Sequence, residues 1–277
     1  MNKIVRFFRK SPREKMAAVI ATLKHAAGLG RQLEPDERLI NHRWAAPEAI
    51  RANSPYYLAL RPDSDVNFHL FPELQELGEV WVKKNERRNA GDLPRLYALV
   101  LNIRHLLEEE IPGDFAELGV WRGNSAAVLA HYARKSNRTT FLFDTFEGFD
   151  QRDLKGLDRE HGMEFEDTSL PAVKQVVGEG DVVYIPGYFP ESLPPGLTSR
   201  QFSLVHLDCD LYEPIKAGME FFFPRLAPGG IMIVHDYANP HWKGVGKAVN
   251  EFLAPRPERP VLIPDRSGTA IIRKSTA

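Results

Sequence analysis

Apolar and polar residues alternate with two different periods along residues 92–277. After Asp92 the apolar residues recur at steps of three and four, which is typical of one buried helix face. These residues are Leu93, Leu96, Val100, Ile103 and Leu107. The pattern predicts a core-facing helix with Asp92 as its N-cap, which stops at Pro112 and Gly113.

Short apolar runs, bounded by glycine, proline or acidic residues, predict strands between further helices. The predicted strands cover 115–118, 139–143, 182–185, 202–207, 231–234, 261–263 and 269–272, and the predicted helices cover 125–134, 215–223 and 245–253. Residues 144–180 are predicted to form a long connection. This order predicts an α/β fold with a mostly parallel, seven-stranded sheet, helices on both faces and an antiparallel finish.

Residues 1–91 sustain neither period, and prolines interrupt their polar stretches. We therefore predict two parts: a basic arm and irregular helical lobe over 1–91, acting as a lid or an acceptor-binding segment, and a regular domain over 92–277. The aromatic residues of the lobe are interpreted as packing residues, with substrate covering as the alternative. They include Trp44, Tyr56, Tyr57, Phe68, Phe71 and Trp81.

Charge is nearly balanced, with 36 basic and 37 acidic side chains and a net charge of −1, so nothing in it predicts nucleic-acid binding. The single cysteine, Cys209, cannot form an internal disulfide, which favours a reducing, cytoplasmic location. No apolar run approaches the roughly 18 residues that span a bilayer. Residues 1–15 are basic and partly apolar, and are interpreted as a solvated tail, with contact to a membrane surface as the alternative.

A glycine turn follows the first predicted strand and opens the next helix at Ser125. No second glycine stands close to Gly119, between it and Gly123. In dinucleotide-binding turns such a glycine lets the backbone approach a pyrophosphate. Glu117, two residues before the turn, would repel a diphosphate and favour an ammonium or sulfonium group. The turn therefore indicates a cofactor such as S-adenosylmethionine rather than a dinucleotide.

Acidic residues also stand where later strands end, which is where ligands bind in parallel sheets. Asp144 ends the second predicted strand and could accept hydrogen bonds from both ribose hydroxyls, or could form an Asx turn. Asp208 ends the fourth strand, and His235 and Asp236 end the fifth. Adjacent strands lie about 4.8 Å apart, so these three side chains predict a site for Mg²⁺ or Mn²⁺. In the alternative interpretation, Asp208 and Asp236 cap the helices that follow them and His235 is a core histidine.

Two other features of these strand ends are open to interpretation. Cys209 lies between two carboxylates that would raise its pKa, so we interpret it as a small packing residue. His241 and Trp242 follow the fifth strand and either contact a substrate or form a plain surface loop.

Five segments, in order, resemble class I S-adenosylmethionine-dependent methyltransferases. They resemble most closely the macrocin O-methyltransferase family, whose relatives methylate sugar hydroxyls of macrolide and aminocoumarin antibiotics. The segments cover 112–125, 143–149, 187–194, 207–214 and 228–237. Catechol-type O-methyltransferases share the glycine turn and the metal layout more distantly.

The resemblance implies a Rossmann-like fold, S-adenosylmethionine, a divalent cation and a homo-oligomer. It makes Asp208 both a metal ligand and the general base, with His235 and Asp236 as the other ligands, although many relatives carry an aspartate in place of His235. It also implies that a larger set of residues contacts the methionine, ribose and adenine parts of the cofactor. This set is Glu117, Gly119, Val120, Trp121, Gly123, Ser125, Asp144, Thr145, Gly187, Phe189 and Asp208.

The function predicted from these features is metal-assisted O-methylation of a sugar or glycosylated metabolite, so the expected partner is a small-molecule or glycan acceptor. A catechol or other phenol is the alternative acceptor, because its hydroxyl is more acidic and needs less activation. A non-catalytic binding protein is disfavoured, because it would need none of Glu117, Gly119, Asp144, Asp208 and Asp236. The turn spacing disfavours an oxidoreductase.

Overall fold

The computed structural model of the chain describes residues 92–276 together with 77, 78, 80 and 81. The basic arm, the predicted boundary at residue 91 and most of the lobe lie outside these residues and stay predictions. Of the aromatic residues singled out in the lobe, Trp81 is described, and its side chain is buried.

Helices and strands alternate through the described part of the chain. The helices are α1 (Leu93–Glu108), α2 (Asn124–Lys135), α3 (Leu170–Val177), α4 (Tyr212–Phe222) and α5 (Lys243–Leu253). The strands are β1 (Asp114–Leu118), β2 (Thr140–Asp144), β3 (Val182–Pro186), β4 (Phe202–Leu207), β5 (Leu226–Val234), β6 (Val261–Leu262) and β7 (Ala270–Arg273).

The strands form one seven-stranded sheet in the order β3-β2-β1-β4-β5-β7-β6. Strands β1 to β5 pair in parallel, whereas β7 is antiparallel to both β5 and β6. The prediction of a mostly parallel sheet with an antiparallel finish is confirmed. Strand order reverses between β1 and β4, and a crevice for a ligand opens at such a reversal, outside the carboxyl ends of the strands.

Alternating side chains of the strands pack on opposite faces of this sheet. Phe141 and Phe143 of β2 belong to a core with Met219 and Phe222 of α4. Leu142, between them, belongs to a separate cluster with residues of α2 and α3. Helices therefore cover both faces, as predicted, and the site must lie at the strand ends.

Three local predictions need correction. The connection after β2 contains α3, a short helix capped by the Ser169 hydroxyl, which accepts from the Ala172 amide at 3.4 Å. Strand β5 begins at Leu226 rather than 231, because the Gly229 and Gly230 backbones pair with Lys274 and carry the strand through the Pro-Gly-Gly segment. Asp92 holds the N-cap position of α1, but its carboxylate accepts from the Arg266 amide at 3.4 Å instead of capping the helix.

No helix in the described part of the chain is both long and apolar enough to cross a membrane.

Candidate active site

A cavity of about 450 Å³ lies at the carboxyl ends of β1 to β5. This volume is within the range of small-molecule sites. The predicted site residues that line it are Gly119, Trp121, Asp144, Thr145, Gly187, Phe189, Asp208, His235 and Asp236. Residues from five different strand ends are thus brought together around one space.

The turn after β1 lies directly against the end of β4. Gly119 has a φ of +88°, and a Cβ atom there would lie 2.2 Å from the carbonyl oxygen of Asp208. A side chain at this position would therefore collide with backbone, which explains the glycine. Two parts of the cavity wall, the turn and the Asp208 strand end, are held together by this close approach.

Glu117 does not face the cavity. Its carboxylate is fully buried, accepts from the Ser125 hydroxyl at 2.5 Å and lies 2.7 Å from Nδ1 of His206 on β4. The expectation of a carboxylate at the mouth needs correction, because the Glu117 side chain is buried against Ser125 and His206 and does not line the cavity. Val120, Gly123 and Ser125 also do not line the cavity. Contact of these four residues with a cofactor stays a prediction.

Asp144 connects the end of β2 to the glycine turn. One carboxylate oxygen accepts from the amides of Val120 and Trp121 at 2.6 and 2.9 Å, and the other accepts from the amide of Phe146 at 2.6 Å. The bond to Phe146 is the Asx turn given as the alternative. A carboxylate has about four acceptor positions, so room for a ribose hydroxyl is left, and that role stays a prediction.

The segment after β3 forms another part of the wall. Gly187 has a φ of +123°, and the Tyr188 hydroxyl donates to Asp153 at 2.7 Å. Burial, the hydrogen bond and the charge of Asp153 raise the pKa of Tyr188, and the Arg152 guanidinium lies 3.7 Å from its ring centroid. This arrangement holds an aromatic ring in a fixed position in the cavity wall.

Asp208, His235 and Asp236 converge at the ends of β4 and β5. Nδ1 of His235 lies 2.8 Å from a carboxylate oxygen of Asp208 and 2.7 Å from one of Asp236. The ligand atoms of all three lie within 4.8 Å of one another. Asn239 donates to the other Asp236 oxygen at 2.6 Å and fixes that carboxylate.

The geometry of His235 fits a divalent cation. Both ring nitrogens are buried without a hydrogen-bond partner of suitable geometry, although Nδ1 lies between two carboxylate oxygens. Burial and Arg95 oppose a charge on this ring, but Asp208 and Asp236 outweigh them and raise its pKa well above the usual value. Two carboxylates and one imidazole are ligands for Mg²⁺ or Mn²⁺, and a buried nitrogen without a hydrogen bond is suited to a metal.

Arg95 of α1 is a site residue that was not predicted from the sequence. Its buried guanidinium pairs with the second oxygen of Asp208 and lies 5.9 Å from the ring centroid of Trp81. Burial acts in the opposite direction, but Arg95 and His235 hold the pKa of Asp208 well below its usual value. Arg95 therefore keeps Asp208 ionised and leaves its first oxygen to face His235 and Asp236.

The burial of Arg95, rather than a sequence pattern, identifies it as a site residue. The buried face of α1 includes Arg95 and Leu99 as well as Leu96 and Val100, so it is wider than the single apolar stripe. An arginine among buried positions needs an anionic partner, because an isolated buried charge is very costly. The acidic strand ends were the available partners.

Two neighbours of Asp208 also lie in the cavity wall. Burial, together with Asp210 and Asp208, raises the pKa of the Cys209 thiol well above its usual value, which agrees with the interpretation of Cys209 as a packing residue. Burial and the charges of Asp236 and Asp208 raise the pKa of Asp210 well above its usual value. Of the loop residues, His241 and Trp242 both line the cavity.

Comparisons with known proteins all indicate one family. The family model described as macrocin-O-methyltransferase (TylF) matches residues 83–262. The 8-demethyl-8-(2,3-dimethoxy-alpha-L-rhamnosyl)-tetracenomycin-C 4'-O-methyltransferase of Streptomyces olivaceus is 32% identical over 160 residues, which cover 53% of this chain and 61% of that protein. The mycinamicin III 3''-O-methyltransferase of Micromonospora griseorubida is 30% identical over 176 residues, 54% of this chain and 66% of that protein. The chain thus spans about three fifths of the length of the curated relatives that it matches.

Solved structures support the same fold. The O-methyltransferase NovP aligns with a TM-score of 0.63 at 21% identity, over 74% of this chain and 98% of NovP. The calicheamicin methyltransferase CalS11 aligns with a TM-score of 0.57 at 25% identity, over 81% of this chain and 96% of CalS11.

Proposed function

The chain belongs to the macrocin O-methyltransferase family, whose model matches residues 83–262, and we propose that it methylates a hydroxyl of a sugar or glycosylated metabolite. The observation that carries the proposal is the convergence of Asp208, His235 and Asp236 beside a glycine-turn cavity. The similar protein from Streptomyces olivaceus is named as acting on a rhamnosyl-tetracenomycin, which supports a glycosylated acceptor.

The proposed reaction uses two groups that the residues of the cavity would hold. S-adenosylmethionine would bring a methyl group on a positively charged sulfur, and a divalent cation would lower the pKa of an acceptor hydroxyl. The glycine turn, Asp144 and Tyr188 would hold the first. The first oxygen of Asp208, Nδ1 of His235 and one oxygen of Asp236 would hold the second.

The chain's own residues then position the acceptor and move its proton. Arg95 and Asn239 fix the carboxylates of Asp208 and Asp236, so that these need not reorganise during the reaction. Asp208 is the proposed acceptor of the hydroxyl proton. Because Arg95 lowers the pKa of Asp208, this carboxylate is a weak base, and acidification of the hydroxyl must supply most of the driving force.

Water exclusion favours the transfer, because the reaction neutralises a positive charge. Phe149, Phe165 and Trp242 line the cavity and contact one another through edge-to-face and tilted ring pairs. The products are a methyl ether, a proton and S-adenosylhomocysteine. A cytoplasmic location and a homo-oligomer are expected from the sequence and stay predictions.

An acceptor screen tests the function. Nucleotide sugars, glycan fragments and phenols are incubated with the protein and S-adenosylmethionine, and release of S-adenosylhomocysteine is measured with and without Mg²⁺. We expect release with sugar acceptors. Release with phenols alone would instead support the catechol-type alternative, and cofactor binding without release from any acceptor would support a binding protein.

Asp144→Ala should weaken binding of S-adenosylhomocysteine by about 1–3 kcal/mol. The substitution removes the acceptor of three backbone amides, which shape the glycine turn, and also the predicted ribose contact. Isothermal titration calorimetry measures the change, with Glu147→Ala, which removes an exposed carboxylate three residues away, as the control. Unchanged binding in Asp144→Ala, or tight binding of NAD to the unaltered protein, would contradict the cofactor prediction.

Methyl transfer should be lost in excess EDTA and restored by Mg²⁺. His235→Ala should raise the Mg²⁺ concentration needed for half-maximal rate without abolishing activity, because water can replace one ligand. His235→Asp should lower that concentration relative to His235→Ala, since it supplies the oxygen ligand that Mg²⁺ prefers. Full activity in EDTA would refute the metal role and leave Asp208 at most a general base.

A further inference from the structure

Three potential metal ligands outside the Asp208 cluster meet at the edge of the cavity. His161 and Glu164 lie in the connection between β2 and α3, and His241 lies in the connection between β5 and α5. One ligand atom from each lies within 4.8 Å of the other two. We call these three residues the rim cluster. Glu164 and His241 also line the cavity.

The ligand atoms of the rim cluster are available. Within the described residues, neither of the two imidazoles nor the Glu164 carboxylate takes part in a side-chain hydrogen bond or ion pair. His161 and Glu164 are half-buried and His241 is exposed, so an ion in solution can reach all three. Two connections distant in sequence therefore present free nitrogen and oxygen atoms to one point.

A rigid aromatic base holds the two imidazoles. The His161 ring lies 4.4 Å from the Trp242 ring at an interplanar angle of 35°, and the His241 ring lies 4.4 Å from it at 74°. The two imidazole centroids are 4.9 Å apart. Trp242 is itself buried against Phe149 and Phe165, so the rings rest on core rather than on mobile side chains. Such support reduces the ordering that ligand binding requires.

We propose that the rim cluster binds a transition-metal ion of the Zn²⁺ class, separate from the cation of the Asp208 cluster. Two imidazoles and one carboxylate suit Zn²⁺, whereas Mg²⁺ prefers oxygen ligands. With zinc-to-nitrogen distances of about 2.1 Å, tetrahedral ligand atoms lie about 3.4 Å apart, so modest side-chain rotation closes the site. One position stays open for water or another ligand.

The ion would connect two segments that border the cavity. His161 and Glu164 belong to the segment after β2, and His241 belongs to the segment after β5, so binding joins two distant parts of the chain's regular domain. This clamp does not depend on the proposed methyl transfer, because none of its three ligands is assigned to S-adenosylmethionine, to Mg²⁺ or to proton transfer. Its test therefore needs binding measurements rather than turnover.

Calorimetric titration of the metal-free, full-length protein with ZnCl₂ tests the proposal, with excess Mg²⁺ present to occupy the Asp208 cluster. His161→Ala, His241→Ala and Glu164→Gln should each weaken one Zn²⁺ site at least about tenfold, because each removes one of three protein ligands. A parallel titration with CoCl₂ should give visible absorption that the same variants lose. Mg²⁺ binding should be unchanged in all three.

His105→Ala is the matched control. Nε2 of His105 lies 3.2 Å from Glu109 on α1, so this variant also removes an exposed imidazole beside a carboxylate. Among the described residues, His105 belongs to no group of three potential metal ligands. We expect Zn²⁺ binding unchanged in His105→Ala. Equal weakening in His105→Ala, or full Zn²⁺ affinity in His161→Ala and His241→Ala, would overturn the proposal. Glu164→Gln keeps the side-chain shape, so it decides the question if a histidine variant fails to fold.

Discussion

Asp208→Asn should reduce methyl transfer by about 10²–10⁴-fold and leave binding of S-adenosylhomocysteine close to that of the unaltered protein. The first oxygen of Asp208 faces Nδ1 of His235 at 2.8 Å, and an amide there would lack both the negative charge and the basicity that the proposed mechanism requires. Cofactor binding is proposed to depend mainly on the turn after β1 and on Asp144, so loss of the Asp208 charge should affect it little. Initial rates with an acceptor from the screen, together with calorimetry, measure the two quantities separately.

The same substitution should also destabilise the fold. Asp208→Asn leaves the buried guanidinium of Arg95 without an anion, and removing one partner of a buried ion pair costs about 3–5 kcal/mol. Arg95→Met added to Asp208→Asn removes the unpaired charge, so the double variant should regain most of the free energy of unfolding. It should not regain activity. Recovery of activity together with stability would show that Asp208 acts only through the fold.

The sequence was sufficient to predict the sheet and the strand ends. Buried strands such as 202–207 are continuous apolar runs, and each is followed by an acidic or glycine-rich stop, so both the element and its end are local signals. In a parallel sheet the carboxyl ends meet at one edge, and this made the meeting of Asp208, His235 and Asp236 predictable without coordinates.

Contacts between residues distant in sequence were not predictable in the same way. Arg95 meets Asp208 across 113 positions, and nothing in the periodicity of α1 states which strand end the helix crosses. His161 and Glu164 lie in a connection whose sequence shows no regular period. Their approach to His241 therefore could not be predicted without the structure. Glu117 was predicted to face the cavity because its strand position was known, but the direction of its side chain was not.

Gly119→Ala should destabilise the protein by about 2–5 kcal/mol and abolish measurable binding of S-adenosylhomocysteine. The φ of +88° costs a side chain about 1–2 kcal/mol. The added Cβ would also lie 2.2 Å from the carbonyl oxygen and 2.5 Å from the carbonyl carbon of Asp208, and such overpacking costs about 1–3 kcal/mol. Relief of this steric overlap requires the turn to move away from β4, and that movement opens the cavity wall. Denaturant unfolding and calorimetry measure both effects.

Two further glycines separate the causes of the Gly119→Ala effect. Gly156 has a φ of +59°, but a Cβ atom added there would have no atom within 4 Å, so Gly156→Ala should show backbone strain alone, at about 1–2 kcal/mol. Gly196 has open space and no positive φ, so Gly196→Ala should change the free energy of unfolding by less than about 0.5 kcal/mol. Both should bind S-adenosylhomocysteine normally. If Gly119→Ala is no more destabilising than Gly156→Ala and still binds the ligand, then the turn does not press against the Asp208 strand end, and the cavity wall built from that contact is wrong.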